Sequence, residues 1–342
     1  MESSSNRTEQ LFNTQNTAAS IILSLACLVG VPGNALVIWI ILFTMKKQRS
    51  PTVMLILNLA IADELVLITL PLWIYTFVKG WTIGQPLCKF LSYIIYCNMY
   101  ISIFLITVMS IERFMAVIYP FASQRWRKNT VVMKVVIIVW VLALLFSIPT
   151  LIYQVVDADD TGRQYCLYMQ FETDKEEILC TVLQTLVAFV IPFTVLSICY
   201  FCIGRKVKRM SFQTKNRTGV VIGSVVIVFF ICWVPHNVLN MISIAALMTS
   251  ASNEAISETL NGIYTGGVFI TGALAFINSC INPVLYAFAA RRIRDGFQIS
   301  ALTKLFDQMT HSHKEESRKE CTDNTRKDTS VTMEEMDCFQ DT

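Results

Sequence analysis

Polar and apolar residues separate into long blocks along this chain. Seven mostly apolar stretches, near 18–44, 52–78, 86–118, 131–153, 178–204, 218–248 and 261–289, are each long enough to cross a bilayer. A helix rising about 1.5 Å per residue needs about 20 apolar residues to span roughly 30 Å of hydrocarbon. The connectors are short, so the seven helices are expected to pack as one bundle. Composition agrees: 54% of the 342 residues are hydrophobic and 15% charged, too oily for a water-soluble core and surface. The pattern predicts an all-α membrane protein, a seven-transmembrane helix bundle.

Loop charge gives the expected orientation, because basic residues collect on the cytoplasmic side. Lys46, Lys47 and Arg49 follow the first stretch; Arg125, Arg127 and Lys128 follow the third; Arg205, Lys206, Lys208, Arg209, Lys215 and Arg217 follow the fifth, with no acid among them. The loop after the fourth carries Asp157, Asp159, Asp160, Glu172, Asp174, Glu176 and Glu177 against Arg163 and Lys175. It is expected outside the cell, as is the polar N-terminus, 1–17. That terminus lacks a basic n-region and a small-residue cleavage site, so the first span is expected to serve as its own insertion signal. Asn6 of Asn6-Arg7-Thr8 would then accept a glycan, whereas Asn216-Arg217-Thr218 lies on the cytoplasmic side.

Topology also sorts the eleven cysteines. Only Cys88, at the outer end of the third span, and Cys166, in the acidic loop, fall in the oxidising extracellular layer. A Cys88–Cys166 disulfide pinning that loop over the bundle mouth is expected. After the seventh span (domain 18–290), residues 291–306 place Ile293, Phe297 and Leu305 at helical spacing among Arg291, Arg292, Arg294 and Lys304. This predicts a short amphipathic eighth helix on anionic lipid. Residues 307–342 are polar and charged, a disordered cytoplasmic tail.

Polar side chains deep in a bilayer are costly and tend to face the bundle interior. Counted from the cytoplasmic ends, Asn34, Asp63, Ser102 and Asn282 fall roughly 12 to 17 Å deep, in one layer. Asn278 and Ser279 lie slightly deeper. A lone carboxylate among hydroxyls and amides suits a sodium ion with oxygen ligands; the alternative is a hydrogen-bond network around a protonated Asp63. Glu64, about 100° around the helix from Asp63, cannot point at the same site. Pro32, Pro71, Pro149, Pro192, Pro235 and Pro283 each remove a helix hydrogen bond and invite a kink.

Together these residues resemble the rhodopsin-like (class A) G-protein-coupled receptors along nearly the whole chain. The matching motifs are "GNALV" with Asn34, "LNLAIADE" with Asp63, Cys88, "ERF" with Arg113, Trp140, Pro192 and Tyr200, "CWVP", and "NPVLY". Phe114 stands where the family usually has Tyr. The resemblance implies that Glu112 holds Arg113 at the closed cytoplasmic surface. It also implies that movement of the sixth span about Pro235, beside Trp233, frees Arg113 for a heterotrimeric G protein, with Tyr200, Pro283 and Tyr286 taking part. The phosphorylatable tail, from Thr310 to Thr332, would then engage receptor kinases and arrestin, a merely solubilising tail being the alternative.

Within that family, "VGVPGNALVIW", "MYISIFLITVMSIERFMAV", "FVIPF" and "WVPHNVLN" resemble the leukotriene B4 receptors of the chemoattractant cluster. Tyr100, Met99 and Asn240 match residues lining the pocket there. Gln154, Glu177 and Val268 stand where that subfamily offers basic groups, and Gln184 where an acid is expected. A lower pocket of Tyr96, Met99, Tyr100, Gln184, Trp233, His236, Asn240 and Phe269 is expected. Lys79, Lys89, Arg163, Lys175 and His236 are the candidates to meet a ligand carboxylate. Apolar walls with a few polar groups suit a lipid mediator; the acidic loop suits a basic peptide. No H-E-x-x-H, P-loop or G-x-S-x-G motif supports an enzyme. No internal repeat supports a transporter. No cofactor beyond the sodium ion and no nucleic acid partner is expected.

Overall fold

The computed structural model describes residues 2–44, 50–121, 123, 129–158, 162–209 and 217–291, of which 2–16, 129, 167–168, 207–209, 217–222, 225, 269, 275 and 286–291 are described by their backbone alone. Among the described residues seven helices are long and apolar enough to cross a membrane: Thr17–Thr44, Pro51–Lys79, Gln85–Ile118, Thr130–Tyr153, Asp174–Lys206, Val226–Thr249 and Glu254–Leu285. They are called the first to seventh spans below.

The second, third, fourth and sixth helices match the hydrophobic pattern to within a residue. Three helices are longer than it predicted, because the pattern registers membrane thickness and not helix ends. The first helix begins at Glu2, inside the stretch expected to be a polar terminus. The fifth begins at Asp174, where Thr173 caps the Glu176 N–H and Asp174, Glu176 and Glu177 occupy the first turn, favourable at a positive helix end. The seventh begins at Glu254, with Asn253 Oδ1 accepting from the Ile256 N–H. The basic residues 46–49, 125–128 and 215, the eighth-helix segment from 292 and the tail lie outside the described residues.

Proline breaks three spans locally. The second divides into Pro51–Leu67 and Leu70–Lys79, with the Thr69 hydroxyl donating to Val66 O at 2.6 Å ahead of Pro71. The fourth breaks at Ser147, whose hydroxyl donates to Ala143 O, ahead of Pro149. In the fifth a π turn, Leu186–Val190, precedes Pro192. Such wide turns accommodate the carbonyls that proline leaves without a donor. Pro32, Pro235 and Pro283 lie inside continuous helices.

Outward residues such as Ile137, Leu145, Ile198 and Ile231 are more than half exposed, as a lipid-facing surface requires. Inside, the first, second and seventh spans approach closely at Gly30, where a Cβ would lie 2.7 Å from Leu67 Cδ1 and 2.8 Å from Cys280 Cβ.

One departure from the helical pattern roofs the bundle. Strands β1 (Gln154–Ala158) and β2 (Gln164–Met169) form an antiparallel hairpin, with an irregularity between Val155 and Asp157. The Cys88–Cys166 disulfide is present and ties β2 to the third span. The Gln85 side chain donates to Gln154 O at 2.6 Å and accepts from the Val156 N–H at 2.7 Å. Beside it, Trp81 N donates to Gln164 O at 2.7 Å. Gly80 makes this turn with φ +85°, and a Cβ there would meet Arg163 Cγ at 3.0 Å; both the backbone and the space call for glycine.

Candidate functional site

Three polar features lie along the bundle axis. At the end opposite the hairpin, Arg113 is 3% exposed on the last turns of the third span. Its Nε lies 4.0 Å from Glu112 Oε2. The Thr52 hydroxyl, at the start of the second span, donates to the same carboxylate oxygen at 2.8 Å and accepts from Arg113 Nη2 at 3.3 Å. Arginine, glutamate and threonine therefore form one closed knot between the second and third spans. The pairing with Glu112 was legible in the sequence, whereas Thr52 was not, because its partner lies 60 residues away. Tyr200 is partly buried nearby on the fifth span, and its Oη has no hydrogen-bond partner among the described residues. The Tyr286 side chain is outside those residues.

Midway along the bundle, Asp63 is fully buried. Its Oδ1 accepts from Asn98 Nδ2 at 3.1 Å and from the Ser102 hydroxyl at 3.4 Å; its Oδ2 accepts from Asn282 Nδ2 at 2.8 Å. Ser279 donates to Asn98 Oδ1 at 3.1 Å, and Asn34 Nδ2 donates to Ser279 O at 3.1 Å. The layer inferred from helix depth is thus a connected network of the first, second, third and seventh spans. Asn98, absent from the expected set, is central to it; its position one turn from Ser102 on the same helix face was the available signal. Asn278 is buried, but no hydrogen bond among the described residues joins it to Asp63. Asp63, Ser102 and Ser279 supply hard oxygens, and buried Asn34 Oδ1 has no partner among the described residues, a donor set that fits a small cation. In this arrangement the amide N–H groups of Asn98 and Asn282 take up the carboxylate instead.

Beneath the hairpin lies a cavity of about 180 Å³. Tyr96, Met99, Trp233 and His236 line it, as do Gln154 and Val268, so two of the positions where basic residues are replaced do face it. Tyr100, Gln184 and Asn240 do not line it. Tyr100 is one residue, about 100°, past Met99, and its ring packs on Phe104 and Phe146 at 5.9 and 5.6 Å, towards the fourth span. Gln184 Nε2 lies 3.3 Å from His236 Nε2. The two side chains form a hydrogen-bonded pair between the fifth and sixth spans, the imidazole tautomer deciding which of them donates. Asn240 is buried, with Nδ2 unpartnered among the described residues. The Phe269 side chain lies outside the described set.

No Lys or Arg is among the described lining residues. Lys89 donates to Ile152 O at 2.8 Å, Lys79 and Lys175 are exposed, and Arg163 donates through Nη2 to Phe77 O and Val78 O at 2.9 and 2.6 Å. Sequence reasoning missed Trp73 and Phe77 of the second span as lining residues. They lie in a run that is apolar on all sides, which carries no signal of which face turns inward. Trp73 Nε1 and Trp233 Nε1 are both buried without a hydrogen-bond partner among the described residues.

A roofed cavity at one end and a closed arginine knot at the other, joined through a buried polar layer, are the parts a signal-transmitting membrane receptor requires. The sequence model of the 7 transmembrane receptor (rhodopsin family) matches residues 33–286, and the chain belongs to that family. It is 32% identical over 292 residues to human (Homo sapiens) leukotriene B4 receptor 1, covering 84% of this chain and 81% of the relative. It is 31% identical over 297 residues to the C3a anaphylatoxin chemotactic receptor of Oncorhynchus mykiss, covering 84% and 78%. With somatostatin receptor type 2 of Mus musculus it shares 32% over 307 residues, covering 86% and 80%. Family membership makes the chain a multi-pass plasma-membrane receptor that couples a ligand to a G protein, and not an enzyme. Relatives with different named ligands are equally similar, so the likeness gives the class and not the ligand.

Proposed function

We propose that this receptor binds a chemoattractant lipid, leukotriene B4 or a close relative, beneath the hairpin and signals through a Gi-class G protein. The observation that supports this reading is the pair of indole N–H groups, Trp73 and Trp233, in apolar walls without acceptors among the described residues. An unpaired buried donor costs about 1–3 kcal/mol, and a hydrocarbon chain bearing hydroxyl oxygens would relieve both. In this reading the N-terminus, with a glycan on Asn6, and the hairpin face outwards. The basic loops, the amphipathic segment 291–306 and the kinase- and arrestin-binding tail face the cytoplasm. Ligand contact near Trp233 loosens the layer around Asp63, where a sodium ion would favour the resting state. The sixth span then pivots at Pro235, and Arg113 leaves Glu112 and Thr52 for the G protein while Tyr200, Pro283 and Tyr286 rearrange.

A peptide chemoattractant is the second reading. It rests on the acidic start of the fifth span, where Glu176 Oε2 is buried without a partner among the described residues. A Gi-activation assay in cells expressing the chain, titrating leukotriene B4 beside basic chemotactic peptides, separates the two. We expect a response to the leukotriene, weakened about tenfold by Trp73→Phe through loss of one hydrogen bond. Silence to the lipid with a response to a peptide would replace the lipid reading.

A further inference from the structure

The central cavity is too small for the ligand class just proposed: about 180 Å³, against roughly 300–1,000 Å³ for pockets that enclose small organic ligands. No lysine or arginine is among its described lining residues to meet a carboxylate. A second cavity, of about 470 Å³, lies beside it between the outer ends of the first and second spans. Ser20, Ser24, Ile21, Leu25, Val78 and Arg163 line this groove. Ile21, Leu25 and Val78 are 57–59% exposed, so the groove opens on the lipid-facing side of the bundle. Phe77 lines both cavities. On the first span, Ala19 and Leu23 face the central cavity while Ser20 and Ser24, one residue further on, face the groove. Phe77 and the outer turns of the first span therefore stand between the two cavities. Joined across Phe77, the two volumes fall within the range of complete ligand sites.

We propose that Phe77 gates a side entrance between the first and second spans, through which a single-chain lipid carboxylate is seated with its head at Arg163 and its chain in the central cavity. This deepens the lipid reading and rests on it. Arg163 is the cation of the groove, and its Nη2 already fixes the backbone carbonyls of Phe77 and Val78. A carboxylate suits the planar guanidinium. Apolar Ile21, Leu25 and Val78 receive the first methylenes, and chain hydroxyls beyond Phe77 reach the indoles of Trp73 and Trp233. The arrangement places the charge outside the cavity, where the cation is, and the hydroxyls inside, where the unpaired donors are.

The test uses the full-length receptor in phosphatidylcholine nanodiscs and a diazirine-bearing, hydroxylated polyunsaturated C20 fatty acid, with cross-links mapped by peptide mass spectrometry. Label is expected on the segments 17–25 and 73–78. It should be competed by the unlabelled acid and not by its methyl ester, fall about tenfold in Arg163→Gln through loss of a charge-assisted bond, and be restored only in part by Arg163→Lys, which keeps the charge without the planar fork. Ser24→Leu, which narrows the groove without touching Arg163, should also reduce it. Label spread evenly over exposed positions such as Ile137 and Leu145, or equal competition by the ester, would overturn the proposal. Displacement of the probe by phosphatidylserine alone would overturn it too, making the groove a bilayer-lipid site. Specific groove label without a G-protein response to the acid would sink the agonist reading and leave the site standing. A response without groove label would do the reverse.

Discussion

At the scale of single residues, the closed end of the receptor turns on one hydroxyl. Thr52 donates to Glu112 and accepts from Arg113, so it orders both members of a pair whose closest contact is 4.0 Å. Thr52→Val keeps the shape and removes both bonds. A hydrogen bond to a charged group contributes about 1.5–3 kcal/mol. We therefore expect basal G-protein activation, read without agonist, to rise by roughly tenfold, with receptor amount at the surface unchanged. Unchanged basal signalling would show that the ion pair is held elsewhere. The adjacent acid and base could be read from the sequence because they are neighbours in it. Thr52 and Asn98 could not be singled out, because a polar residue near a helix start or within an apolar run acquires its meaning only from partners on other helices.

At the scale of elements, the hairpin is the part that hydrophobic pattern reading did not supply. Residues 154–169 carry no strong alternation, and their strands form because the disulfide and the Gln85 side chain hold them against the third span. The bond closes a separation of 78 residues, for which chain entropy predicts roughly 4 kcal/mol of stabilisation. The double variant Cys88→Ser with Cys166→Ser should lower the thermal unfolding midpoint in detergent and abolish high-affinity ligand binding. Binding at parental affinity would show that the roof is held by its hydrogen bonds alone. The helices themselves were legible from periodicity and length. Their ends were not, since caps such as Thr173 and Asn253 extend helices beyond the membrane thickness that hydropathy measures.

At the scale of the whole molecule, the Asp63 layer connects four of the seven spans through side-chain hydrogen bonds. Any shift of the seventh span relative to the second must break or exchange the Asn282–Asp63 contact, and relative to the third the Ser279–Asn98 contact. Asp63→Asn removes the charge and keeps the shape. It should abolish the dependence of agonist affinity on sodium concentration, measured by competition binding in sodium and in potassium buffers. Equal sodium sensitivity in variant and parent would count against an ion in this layer. The depth count along each helix made the layer legible; which amide points at which oxygen depends on how the helices are rotated about their axes, information that single-helix periodicity does not contain.

The hairpin roof carries one more consequence. It is fastened covalently to the third span and by backbone and side-chain bonds to the ends of the second and third, so it cannot swing aside as a free loop would. A molecule lodged beneath it cannot leave past the roof and must wait for the wall at Phe77 to open, so the waiting time is a property of the receptor more than of the guest. Ligands of quite different affinity should then share similar residence times and differ mainly in how fast they arrive, the reverse of the usual pattern in which affinity is set by dissociation.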